Sequence, residues 1–172
     1  MATSTVTPDQ STVIAEVFIA APPERVFQAI SDPEQLSRWW GQNGLYRITD
    51  RSADLHVGGK WWCEGAGADG TSFRVEGEYL EIDPPRRLVH TWVATYMGEL
   101  RTVVYWDLAP QAVHGLHPSG PKKAGTGTLV KLRHEGFADN AKQALSHGDG
   151  WKRVFGWLTA YLERGETIDT RK

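Results

Sequence analysis

The last part of the chain carries one strong helical signal, and it limits what the rest can form. Trp151, Val154, Phe155, Leu158 and Leu162 recur at i, i+3, i+4, i+7 and i+11. That spacing is a single apolar stripe on an α-helix. Lys152, Arg153, Thr159, Glu163 and Arg164 fall away from the stripe. Asp149 or Ser146 can cap the start of the helix, and Gly165 suits its end. Gly156 lies inside it and costs about 1 kcal/mol relative to alanine, so close packing is expected there. No other segment reads as a cover for a large apolar surface.

Such a surface is expected from Leu45 to His134, where the apolar period is two. Candidate strands run over 45–50, 53–57, 60–66, 72–82, 87–97, 101–109 and 126–135. Gly58-Gly59, Ala68-Asp69-Gly70, Asp83-Pro84-Pro85 and Met97-Gly98-Glu99 separate them. An earlier strand is expected over 12–20. Pro22 and Pro23 end it, and Val26, Phe27 and Ile30 mark a short helix. Asp32-Pro33-Glu34-Gln35 starts a second short helix carrying Leu36, Trp39 and Trp40. The order predicts an α+β fold, with one bent antiparallel sheet of about six or seven strands around the C-terminal helix. Residues 1–11 and 166–172 read as tails, the first of them mobile, and 12–165 as one domain. Residues 110–125, rich in Gly, Pro and Lys, read as a long exposed loop, and 136–147 as a polar connection.

Charge excludes one class of partner. The 19 Lys and Arg are scattered among 21 Asp and Glu, for a net charge of -2. A phosphate backbone is bound by a clustered basic excess, so neither nucleic acid nor an anionic membrane surface is expected. Cys63 is the single cysteine, which rules out an internal disulfide and suits a reducing compartment. The N-terminus lacks a basic and apolar leader, and no stretch approaches the roughly 20 apolar residues of a span. A cytoplasmic location is expected.

Several local motifs add a resemblance. They begin with Ala21-Pro22-Pro23-Glu24-Arg25-Val26-Phe27, Ser31-Asp32-Pro33 and Trp39-Trp40, and continue with Val57-Gly58-Gly59 before Trp61. Gly77-Glu78-Tyr79-Leu80-Glu81-Ile82 and Pro84-Pro85-Arg86-Arg87-Leu88 follow. Gly127-Thr128, His134-Glu135-Gly136-Phe137 and Gly150-Trp151 complete the set. In order and spacing the chain resembles the activator of heat shock protein 90 ATPase C-terminal-domain family, of the START-like (SRPBCC) superfamily. The resemblance runs from about Thr12 to Arg164 and implies a helix-grip fold with a cavity between sheet and helix. It implies a small apolar partner (lipid, sterol or aromatic). A cyclase- or hydrolase-type enzyme and a chaperone-interaction module are the alternatives. The eukaryotic activator has two domains, and only its C-terminal part resembles this chain.

Eleven residues are expected at the cavity: Trp39, Trp40, Trp61, Cys63, His90, Trp92, Tyr105, His134, Trp151, Phe155 and Leu158. The tryptophans are chosen as large aromatics with a polar edge, although they can equally be core filling. His90 and Trp92 share a strand face with Leu88, Ala94 and Tyr96. His134 lies opposite the charged face of Lys131, Arg133 and Glu135 and so points inward. A buried histidine can serve as an acid or base, but a hydrogen-bonded core residue is the ordinary outcome. In the enzyme alternative His90, His134 or Tyr105 would be the polar participants. Cys63 reads as a small buried hydrophobe. Glu76 and Glu78 share a strand face and read as a charged surface. His114 and His117 form H-x-x-H in a Gly/Pro loop without a third ligand, and read as a solvated loop tip. No catalytic, metal-binding or cofactor motif is expected.

Overall fold

A computed structural model describes every residue except 99, 114–115, 118–119, 122–124 and 172. Its strands are β1 (Thr3–Val6), β2 (Thr12–Ile19), β3 (Gly41–Gln42), β4 (Tyr46–Ala53), β5 (Lys60–Gly67), β6 (Ser72–Asp83), β7 (Arg87–Ala94), β8 (Thr102–Val113), β9 (Leu116–His117), β10 (Gly120–Pro121) and β11 (Gly125–Glu135). Helices α1 (Pro23–Ser31) and α2 (Pro33–Trp39) follow β2, and α3 (Ala141–Arg164) ends the fold. Among the described residues nine strands form one antiparallel sheet in the order β1-β2-β11-β8-β7-β6-β5-β4-β3. The sheet is curved and α3 is the long C-terminal helix of a helix-grip fold, with more strands than the alternation alone indicated.

Besides the candidate strand 53–57, of which only Ala53 belongs to a strand, four segments depart from the sequence reading. Thr3–Val6 is not a mobile tail but an edge strand, paired with Val13–Glu16. The 110–125 segment is not an irregular loop throughout. β8 and β11 stay paired out to Val113 and Gly125, and β9 and β10 pair with each other. A ladder needs backbone partners, not an apolar period, and Pro110 lies where β8 has passed its last partner on β7 at Asp107. His114 lies outside the described residues, and with it the His114–His117 spacing. In the C-terminal tail, residues 166–171 are tied down. Ile168 is buried, its N–H donates to the Arg38 carbonyl at 2.8 Å, and Arg171 donates to the Gly41 carbonyl.

The fourth departure concerns α3, which begins nine residues before Gly150. Its cap is Asn140, whose side chain accepts from the Gln143 N–H, not Ser146 or Asp149. Gly148 is where backbone approach is close: an added Cβ would lie 3.3 Å from Val6 Cγ2 on β1. Gly156, expected to be a packing glycine, is exposed with nothing within 4 Å of an added Cβ. Gly156→Ala should therefore raise stability by about 1 kcal/mol through helix propensity, read from chemical unfolding. A loss of stability would show an unrecognised contact at this position.

The core lies between α3 and the concave face. Trp106 on β8, Leu132 and His134 on β11, and Phe155 and Leu158 on α3 are all at most 2% exposed. The strands that α3 packs against most are β2 and β1, while β4 packs against α2. One helix thus covers one half of the sheet, and the β4–β6 half retains a gap.

Candidate functional site

That gap is a cavity of about 280 Å³. Its floor is the β4–β6 half of the sheet, with Tyr46, Ile48, Cys63, Phe73 and Val75. Trp61 and Trp92 form one wall, Trp151 and Val154 of α3 another, and Leu36 and Trp40 close the α2 end. Glycines allow this aromatic floor to lie flat. Phe73 covers Gly65 and Trp61 covers Gly77 across the β5–β6 ladder, and an added Cβ would collide with either ring. Trp40, Trp92 and Trp151 then meet ring to ring, with centroids 6.2 Å (Trp40–Trp92), 5.7 Å (Trp40–Trp151) and 5.7 Å (Trp92–Trp151) apart.

Polar and charged groups share the lining. Arg51, Ser52, Tyr96, Ser146, His147 and Arg153 also line the cavity. His147 is 8% exposed and its Nδ1–H donates to the Gln143 carbonyl at 2.8 Å. Its Nε2 is thereby left as an acceptor, 3.5 Å from the Tyr96 hydroxyl. Burial lowers the His147 pKa, so the ring is neutral at neutral pH. Cys63 is a thiol and not a thiolate, because burial pushes it up to about 11. No group of three or more His, Cys, Asp or Glu among the described residues is placed to hold a metal.

Five of the eleven expected residues line the cavity: Trp40, Trp61, Cys63, Trp92 and Trp151. Trp39 is fully buried behind them, its indole N–H donating to the Ala29 carbonyl at 2.9 Å. Phe155 and Leu158 fill the core beneath α3. Tyr105 is on the other face of β8, its hydroxyl donating to Glu135 at 2.7 Å beside Arg133. Neighbouring residues on a strand point to opposite faces, so Tyr105 lies opposite the core residue Trp106.

The two strand histidines are core residues. His134 Nδ1 accepts from the Trp151 indole at 3.0 Å, and its Nε2 faces Thr102 Oγ1 at 2.7 Å. Thr102 Oγ1 donates to the Trp92 carbonyl at 2.9 Å. These roles are consistent only if neutral His134 carries its proton on Nε2. His90 is the mirror case. Its Nε2 accepts from Trp106 at 3.1 Å, so its proton is on Nδ1, facing the Thr91 carbonyl at 3.1 Å. Neither ring has an open nitrogen for chemistry. His147, which the sequence reading passed over, does. Glu76 and Glu78 are paired with Arg74 and Lys60 on the outer face, as a charged surface requires.

A curved antiparallel sheet gripping one long helix, with a cavity between them, defines the START-like class. Residues 20–116 match the family described as Activator of Hsp90 ATPase homolog 1-like protein, and the chain belongs to that family. No curated protein matches it. Among solved structures, a protein from Chromobacterium violaceum is similar at 26% identity and TM-score 0.72, over 89% of this chain and 97% of that one. A protein from Arthrobacter aurescens is similar at 20% identity and TM-score 0.74, over 94% and 91%. CalU16 from Micromonospora echinospora is similar at 23% identity and TM-score 0.60, over 96% and 85%. The last two share the fold alone. No helix among the described residues is long and apolar enough to cross a membrane.

Proposed function

We propose that the protein binds a small hydrophobic or amphipathic molecule in the cavity under the N-terminal half of α3. The observation that carries this reading is a cavity of about 280 Å³ lined mainly by aromatic and aliphatic side chains, among them Trp40, Trp61, Phe73, Val75, Trp92 and Trp151. A site of that form gains affinity mainly from apolar burial, at roughly 25 cal/mol per Å² before the costs of association. A retained cavity also favours this reading over a chaperone-interaction module, which would need an exposed apolar patch and not an internal space.

Because Trp40, Trp61, Trp92 and Trp151 all border the cavity, an occupant should change tryptophan fluorescence. It should also raise the melting temperature, by the equivalent of about 2.7 kcal/mol at a hundredfold excess over Kd. Fatty acids, sterols and flavonoid-like aromatics are the panel to titrate. Ala53→Phe, which adds a ring to the cavity wall, should weaken any true ligand. If no compound moves either signal at high micromolar concentration, the binding reading fails.

The His147–Tyr96 pair supports a second reading, an enzyme that uses the same cavity. A neutral imidazole with an open Nε2 can accept a proton, and a phenol can donate one. His147→Ala separates the two readings: a carrier keeps its binding, and an enzyme loses turnover. His134→Ala does not, since it empties a core position.

A further inference from the structure

We infer that the cavity selects an anion: a planar aromatic acid whose rings lie against the indoles and whose negative group reaches Arg153 at the rim. The inference rests on the binding reading above and names the ligand class for that same site.

Charge is the first observation. The cavity lining includes two guanidinium groups, Arg51 and Arg153, and no Asp or Glu. Arg51 is already matched by Glu34 at 2.7 Å. Arg153 has no such match: among the described residues no carboxylate lies within ion-pair distance of it, Asp149 one turn earlier included. Its field still reaches the wall. Burial raises the Tyr46 phenol, and the charge of Arg153 works against that rise. An apolar cavity whose edge carries a cation without a carboxylate partner among the described residues favours a ligand that brings the opposite charge.

Shape is the second observation. Trp40 and Trp92 are near parallel, 30° apart with centroids 6.2 Å from each other, and Trp61 meets Trp92 at 5.7 Å. Flat ring faces reward a flat partner through stacking and edge contacts that a flexible aliphatic chain does not make. The volume, about 280 Å³, stands at the small end of ligand sites, which begin near 300 Å³. Two or three rings suit it better than a sterol.

The test uses two probes with the same rings. 8-Anilinonaphthalene-1-sulfonate is an anion, and N-phenyl-1-naphthylamine is its neutral counterpart. The sulfonate should bind more tightly, and raising the ionic strength should weaken it while leaving the neutral probe unaffected. Arg153→Gln should cost the sulfonate about fivefold in Kd, the scale of an exposed ion pair, and spare the neutral probe. Because Arg153 is exposed, the variant should fold as the parent does, which an unchanged melting temperature confirms. Equal or tighter binding of the neutral probe, with neither salt nor Arg153→Gln affecting the sulfonate, would overturn the anion assignment and leave the apolar site standing. Failure of both probes to bind would remove the site itself.

Discussion

Trp151→Ala should lower stability by about 3–5 kcal/mol, the cost of removing a large buried aromatic side chain from a core that cannot collapse around the loss. Trp151 is 3% exposed. Its ring meets Trp106 edge-on at 5.5 Å, Trp40 at 5.7 Å and His134 at 5.8 Å, so it joins helix, sheet and cavity wall. Trp151→Phe isolates one part of this. It keeps a ring but removes the indole N–H, leaving His134 Nδ1 buried without its donor, at about 1–3 kcal/mol. Urea unfolding of the two variants measures both terms. A loss below about 1 kcal/mol for Trp151→Ala would mean that the α3 stripe does not hold the helix to the sheet.

The stripe was the most legible feature of the sequence for a physical reason. A helix over a concave sheet buries one face, so 151, 154, 155 and 158 had to be apolar whatever the strands did. What the stripe could not show was the first part of α3. Gly148 and Gly150 look like breakers, and propensity alone starts the helix after them. Gly148 is there because Val6 on β1 comes within a methyl's reach, and β1 was itself missed as a polar Thr/Ser segment. The two errors were one: each element explains the other, and neither has a local signal.

The cavity was half legible for a similar reason. Residues named from aromatic type, such as Trp40 and Trp61, are at the site, and Tyr46, Ile48, Phe73 and Val75 were available from i, i+2 parity on β4 and β6. The edge groups had no such signal. Arg153 falls away from the apolar stripe, and a stripe records only the face against the sheet. His147 lay in a segment read as a connection. Flanks of a helix become cavity edges only when the sheet curves away, and curvature is not written in the period.

The buried histidines lead to the second large effect, loss of stability in mild acid. Burial pushes His90 down to about 4. Burial and the neighbouring His147 and His90 hold His134 well below its ordinary value. In the unfolded chain both rings take up protons near pH 6.5. Below that pH the unfolded state therefore binds protons that the folded state refuses, and stability falls as pH falls. For His90 the loss runs from about pH 6.5 to about pH 4 and amounts to about 3 kcal/mol once complete. His134 adds to it in the same direction, because protonating Nδ1 would set one N–H against that of Trp151. Stability measured by urea unfolding should be flat from pH 8 to about 7 and then decline steadily toward pH 4. His90→Gln, which can still accept from Trp106 but cannot titrate, should remove the His90 share of the slope while costing some stability at neutral pH. A profile that stays level down to pH 5 in the parent protein would show that these rings are open to water, and with that the locked pairs Trp151–His134 and Trp106–His90 would be wrong.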